Sequence, residues 1–424
     1  MGGQRIGDCI FYTDIAMILN HYWKIRHLCK QGCLFCTLFS GKTLYTGKEN
    51  TMKTVNGVYT YAKIFTDHTE PYALAQIQRL CDNMAFQDCR IRIMPDVHPG
   101  KVGTIGFTST LGKQVLPNVI GIDIGCGITV AKLKQRKIEY QRLDTVIREE
   151  IPSRSRIYKN PHRFSSRANL EELRCGKAIQ KERIRCSIGT LGGGNHFIEM
   201  DRDEEGNLYV TIHSGSRHLG KEVTEYYLRE GQKRLKEDGA KVPYEMTYLE
   251  GEVMEDYIHD LQIVQDFAEL NRETMLDVLV KGMKWKVQKV WSSVHNYIDI
   301  SGGEPVIRKG AVSAKKQENV IIPINMRDGI LIGEGLGNPD WNQSAPHGAG
   351  RIFKREDVRQ KYTVSQFKAE MQGIYCSCIG KETLDEAPFA YRGIEEIKEA
   401  VADTVKIRKI LKPVYNFKAG SRDS

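Results

Sequence analysis

The run Asn118–Gly127, NVIGIDIGCG, holds one carboxylate, Asp123, and one thiol, Cys126, among apolar residues and glycine. Burying a lone charge costs on the order of several kcal/mol unless a partner compensates it. Five of the 11 histidines also sit in unusual surroundings: His98 in MPDVHPG, His196 in GGGNHF, His213 in VTIHSGSR, His295 in VHNYIDI and His347 in SAPHGAGR. Glycine beside such residues lets backbone approach a ligand closely and leaves amide N–H groups free for an anion. Aspartate, cysteine and several histidines make a mixed hard and soft donor set that suits a divalent transition metal, and a thiolate can bridge two ions. Two metals with open positions suit phosphoryl chemistry. The residues alone leave a second reading open, in which Asp123 caps loop amides and Cys126 is a small buried hydrophobe.

Cations accompany these motifs. Arg217 closes HSGSR, Arg308 and Lys309 open RKGA, and Arg351 closes HGAGR. A guanidinium or ammonium among small residues is placed to meet a phosphate. Any one of them alone reads as a solvated surface charge; interleaved with the glycine-set histidines they point to a phosphate site. His21, His27, His68, His162 and His259 have no such company.

The elements that must position these residues read as a mixture of helices and strands without a repeat. Helical patterns cover 71–84, 221–237, 252–284 and 394–410. In the third, Val253, Tyr257, Leu261, Val264 and Phe267 form an apolar stripe. Strand patterns cover 91–97, 104–110, 127–133, 208–213, 319–325 and 329–333, several rich in β-branched residues. The pattern is α+β, and no Pro/Gly/Ser linker divides it, so one large domain is expected from residue 52 to 424.

With 424 residues, 41% hydrophobic and 27% charged, the chain is long enough for a substantial core. The net charge of +9 is compatible with a polyanionic partner. The 11 cysteines are scattered, as in a reduced cytoplasmic protein. No signal peptide or membrane-spanning run is evident. Residues 1–51 differ from the rest. Their Cys29, Cys33 and Cys36 imitate an iron–sulfur triad, but no regular βα alternation follows, and SGKT (40–43) lacks the first glycine of a phosphate loop. This segment reads as an N-terminal extension, with Met52 as a candidate natural start.

The ordered set MPDVHPG, GIDIGCG, GTLGGGNHFIE, HSGSR, HN, RKGA and SAPHGAGR closely resembles the RtcB-type RNA-splicing ligase family, from about Met52 to Gly420. The resemblance implies mixed β-sheets around a central metal and GTP cleft. It implies joining of RNA ends bearing a 2′,3′-cyclic phosphate or 3′-phosphate to 5′-hydroxyl ends, with GTP and two Mn²⁺ ions, in tRNA splicing or RNA repair, and an archease-like activator as a partner. Matched by position, Asp123, Cys126, His196, His213 and His295 resemble the metal ligands, with Cys126 bridging. His347 resembles the histidine that becomes guanylylated. Asn195, Phe197, Glu199, Asn296, Ser344, Gly348, Ala349, Gly350 and Lys418 resemble the GTP contacts, and Glu199 would accept from guanine N1–H and its amine. Arg217, Arg308, Lys309 and Arg351 would meet phosphate or RNA. His218 stands where the family usually has glycine, and AGSRDS follows Lys418 where family chains typically stop.

Two other classes compete. A binuclear metal phosphodiesterase would use the same ligands without nucleotidylation, and it has no need of a glycine-flanked histidine such as His347. A non-catalytic RNA-binding module leaves the Asp/Cys/His set unexplained, and no RRM, KH or dsRBD signature is present.

Overall fold

The computed structural model of the protein describes residues 53–420; the readings of residues 1–51 fall outside them. Two large sheets carry the fold. The first has six strands in the order Lys53–Asn56, Tyr61–Ile64, Ile91–His98, Ile105–Thr110, Val306–Lys309 and Asn296–Asp299. Its second and third strands run parallel and its other pairs antiparallel. The second has seven antiparallel strands in the order Asn319–Asn325, Gly329–Gly335, Val405–Lys418, Phe197–Arg202, Leu208–Ser214, Gly127–Leu133 and Val287–Val294. A short pair, Ala311–Ser313 with Ser344–Pro346, stands beside them. This is the α+β arrangement the patterning implied.

The apolar stripes find their expected partners. The helix Gly251–Met283 buries Val253, Tyr257, Leu261, Val264 and Phe267 in one core shared with Ile120, Ile124 and Leu219. Its C-terminal half continues into a second core through Met275, Leu276 and Leu279, against Ile198, Val210 and Ile212 of the seven-stranded sheet. The helix stops at Lys284, whose left-handed φ of 55° ends the hydrogen-bond ladder. Among the described residues no helix is long and apolar enough to cross a membrane.

One expected element is different. The helix read over 394–410 is a helix only from Ile394 to Ala400; the chain then turns and runs as the strand Val405–Lys418. Exposed Lys406, Arg408 and Lys412 alternate with more buried Val405, Ile407, Leu411 and Pro413, as a strand's period of two requires, and from Tyr415 to Lys418 the strand is buried throughout. Pro413, which has no N–H for the ladder, sits at a register shift against Phe197–Arg202. The helix expected over 71–84 likewise ends at Cys81 and is followed by a separate short turn at Met84–Phe86.

Candidate active site and metal centre

Four neighbouring strands of the seven-stranded sheet converge on one end. His196 precedes the strand Phe197–Arg202, His213 lies near the end of Leu208–Ser214, Cys126 precedes Gly127–Leu133, and His295 follows Val287–Val294. Successive antiparallel strands reverse direction, so two entrances and two exits fall at the same edge. With strands about 4.8 Å apart, the side chains there come within reach of one another. The Cys126 Sγ lies 3.4 Å from His196 Nε2 and 3.3 Å from His213 Nε2, and His213 Nε2 is 3.4 Å from His295 Nε2. Asp123 Oδ2 is 3.4 Å from His196 Nε2.

Two donor sets result, Asp123–Cys126–His196 and Cys126–His213–His295, with the donor atoms of each within 4.8 Å of one another. Cys126 belongs to both. The other ring nitrogens are already held: His196 Nδ1 donates to the Leu191 carbonyl at 2.9 Å and His213 Nδ1 to that of Asn195 at 3.2 Å. With Nδ1 engaged, each Nε2 is the ring atom left facing the centre.

The electrostatics favour a cation. Burial holds His213 and His295 well below the usual imidazole range, reinforced by neighbouring histidines, so both are neutral donors. Burial pushes the Asp123 carboxyl up, but the hydrogen bond and charge of His196 and the nearby Lys309 outweigh it and hold the group ionised. Burial and the charge of Asp123 push the Cys126 thiol well up. A carboxylate, a buried thiol and neutral imidazoles, packed at these distances, fit a pair of divalent transition ions.

The loops bearing these donors are pinned from the long helix. Arg272, fully buried, donates to the carbonyls of Gly125 at 3.0 Å and Ser214 at 2.9 Å. Asn271 accepts the N–H groups of Gly189 and Thr190, and donates to the Gly215 carbonyl and Ser214 Oγ. Two residues are glycine for want of space. A Cβ on Gly215 would lie 2.1 Å from Asp123 Oδ1, and Gly125, at φ 72°, has the backbone of the long helix 2.9 Å from such an atom.

A cleft of about 320 Å³ opens over the donors. Its opposite wall comes from the six-stranded sheet and the segment after Ser344–Pro346, and it carries His347, Gly348, Ala349, Gly350 and Arg351. His347 stands outside both donor sets, its ring centroid 4.8 Å from that of His295. Its Nδ1 is 2.7 Å from Oδ2 of fully buried Asp96, which also accepts the His347 N–H at 3.1 Å. A carboxylate on Nδ1 fixes the tautomer and leaves Nε2 with a lone pair, the form of a nucleophile. Asp96 lay within MPDVHPG, yet sequence reading singled out only His98. His98 also lines the cleft, and burial drives it down to about 4.

Asn195, Phe197, Glu199 and Lys418 also line the cleft, the Phe197 ring 5.3 Å from that of His213. Lys418 Nζ lies 5.4 Å over the Phe197 ring and pairs with buried Glu386 at 2.7 Å. Arg355, Arg351 and Tyr391 crowd the same Glu386. Glu199 accepts from Asn416 and is two residues from Asp201 on one face of its strand. Burial, with the charge and hydrogen bond of Asp201, pushes the Glu199 carboxyl well up; burial raises Asp201 to about 6 against the hydrogen bonds of Glu199 and Thr211, so the proton of the pair sits on Glu199.

Several expected contacts are placed elsewhere. Adjacent residues of a strand face opposite ways, so Arg308 and Lys309 part company. Lys309 reaches the cleft, where it makes no hydrogen bond or ion pair among the described residues. Arg308 turns inward, fully buried, onto Asp299 at 2.7 Å, Ser344 Oγ at 2.9 Å and Tyr297 Oη at 3.0 Å. Ser344 is spent on Arg308 and the Asn342 carbonyl. Both act as internal braces, with the guanidinium nitrogens of Arg308 and the Ser344 hydroxyl already hydrogen-bonded. Asn296 lines the cleft, but its amide bridges the Asp123 carbonyl and the Gly310 N–H. Arg217 lies behind the donors and donates to Thr190 Oγ1 and the Arg154 carbonyl. Arg351 is at the cleft wall, braced by Tyr391 Oη at 2.9 Å and the Asp385 carbonyl at 2.6 Å.

A family model described as tRNA-splicing ligase RtcB matches residues 76–178 and 153–419, which together span every residue of this cleft. The chain belongs to the RtcB family. RtcB relatives include RNA-splicing ligase RtcB1 of Escherichia coli, 31% identical over 375 residues that cover 79% of this chain and 91% of the relative. RNA-splicing ligase RtcB of Escherichia coli K12 is likewise 31% identical over 375 residues, with the same coverage. The tRNA-splicing ligase RtcB of Pyrobaculum aerophilum is 25% identical over 412 residues, covering 76% of this chain and 85% of its own length.

Proposed function

We propose that this RtcB-family chain is an RNA ligase that joins 2′,3′-cyclic phosphate or 3′-phosphate ends to 5′-hydroxyl ends, consuming GTP, in tRNA splicing or RNA repair. The observation that carries this reading is the placement of His347: held by Asp96, outside the donor sets, and facing them across one cleft. Asp123, Cys126, His196, His213 and His295 would hold two Mn²⁺ ions, which when bound supply charge neutralisation for phosphate oxygens and alignment of the attacking and leaving groups.

The chain's own residues then have definite work. His347 Nε2 attacks the α-phosphorus of GTP; an N–P bond forms while the bond to pyrophosphate breaks. Asp96 stabilises the positive charge that develops on the ring at Nδ1–H, as a carboxylate behind an imidazole does. Lys309 offers an uncommitted ammonium to the phosphates. Glu199, once its raised carboxyl has given up its proton, accepts from guanine N1–H and its amine, and Lys418 and Phe197 close the base site. GMP passes from His347 to the RNA 3′-phosphate, whose phosphorus becomes electrophilic; the 5′-hydroxyl attacks it and GMP leaves. Activation by an archease-like partner belongs to the same reading.

The test incubates the protein with Mn²⁺ and GTP labelled at the α-phosphate, beside His347→Ala. Acid-labile covalent label on the parent and none on the variant is expected. An unlabelled parent that still hydrolyses phosphodiesters would replace this reading with the binuclear phosphodiesterase.

A further inference from the structure

Cys376 and Cys378 take no part in either donor set, yet their Sγ atoms are 3.2 Å apart across a single exposed serine. Cys378 lines a polar groove of about 850 Å³ whose wall includes Arg148, Arg154, Arg156 and Lys381. Its Sγ also accepts the backbone N–H of Lys418 at 3.2 Å, and the Lys418 side chain lies in the catalytic cleft. A thiol pair, a solvent path and a mechanical link to the cleft therefore meet at one turn.

We propose that Cys376 and Cys378 form a dithiol–disulfide pair that exchanges with a small carboxylate-bearing disulfide in the cationic groove, and that the exchange resets the backbone at Lys418. The two thiols are unlike. The Cys376 thiol donating to it, the Lys418 N–H, and the charges of Lys418 and Arg148 hold Cys378 below the usual thiol range, against its burial. The same hydrogen bond and burial push Cys376 up. Cys378 is the attacking thiolate and Cys376 the resolving thiol.

The Cys378 thiolate attacks one sulfur of the small disulfide. A mixed disulfide forms, the original S–S bond breaks, and the leaving thiolate takes a proton from solvent. Cys376 then loses its proton and attacks Cys378 Sγ, displacing the second small thiol. Two protein thiols are oxidised and one small disulfide is reduced to two thiols. Closing the bond draws the sulfurs to about 2.0 Å and pulls Cys378 off the Lys418 N–H. None of this depends on the RNA-ligase reading.

The experiment holds the full-length protein in graded mixtures of oxidised and reduced glutathione, quenches in acid, alkylates after unfolding and maps peptides by mass. The peptide carrying both cysteines should lose two hydrogens while Cys126 remains alkylatable. Cys376→Ser should accumulate one glutathione on Cys378, and Cys378→Ser none on Cys376. Amide hydrogen exchange in residues 414–420 should rise several-fold on oxidation. Arg156→Glu should slow exchange with glutathione disulfide and spare that with neutral hydroxyethyl disulfide. Both thiols free at every ratio, an adduct favouring Cys376, or unchanged exchange near Lys418 would overturn the proposal.

Discussion

At the scale of residues, chemistry in this chain is decided by which lone pairs are free. Asp96 supplies the one that matters for His347, since its carboxylate forces the ring proton onto Nδ1. Asp96→Asn should leave the fold intact but lower single-turnover labelling of His347 by roughly 10²–10⁴-fold, the range seen when an orienting carboxylate behind a histidine is lost. GTP binding measured by calorimetry should change little. Glu199 makes the complementary case. Its raised pKa means that lowering the pH protonates it, and a protonated carboxyl loses one of its two acceptors. GTP affinity should therefore fall as pH falls, and Glu199→Gln should flatten the profile and reduce preference for GTP over ATP by about 10- to 100-fold, the equivalent of one unpaired buried donor. Cys126 carries a signature of the same sign. Metal binding needs the thiolate, the thiol pKa is raised, and His213 and His295 are already neutral. Apparent metal affinity should then climb about tenfold per pH unit from one released proton, and Cys126→Ser should remove that slope. The donor types stood out in sequence as Asp, Cys and His in glycine settings, and their selection as one ligand set came from the family resemblance. Asp96 was not, because an acid in a strand says nothing about which histidine it will face.

At the scale of elements, the sheet brings the donors together and one helix keeps them there. Asn271 and Arg272 break the apolar character of the long helix, and both are fully buried. Asn271→Leu should leave the amides of Gly189 and Thr190 and the Gly215 carbonyl unpaired. Each orphaned group costs about 1–3 kcal/mol, so thermal unfolding should begin several degrees lower and metal affinity should drop with it. A variant that binds metal with unchanged affinity would show that the loops hold their shape unaided. The helical period that placed Val253, Tyr257 and Phe267 was easy to read. The strand Val405–Lys418 was not, since seven residues of helix precede it and β-branched residues occur in both states. Its assignment as strand sets Lys418 opposite Phe197 in the ladder, which is how a near-terminal lysine enters the cleft.

At the scale of the whole molecule, the cleft is where two sheets meet, and His295 is the residue at which the chain crosses from one to the other. The excess of positive charge suits a polyanion, and RNA affinity should fall steeply between low and moderate salt as phosphate contacts release counterions; filter binding across a salt series would measure it, and a flat response would argue against a basic RNA surface. A chain beginning at Met52 is expected to keep full activity and its melting temperature, which a truncation followed by calorimetry would check. The sequence by itself determined the family, the α+β class and the donor types, because side-chain chemistry and short-range spacing are written residue by residue. Only the tertiary structure decided that Lys309 faces the cleft while Arg308 turns into the core, and that Asp96 serves His347. Those facts depend on strand direction, pleat and contacts between residues as much as 251 positions apart, and no local pattern encodes them.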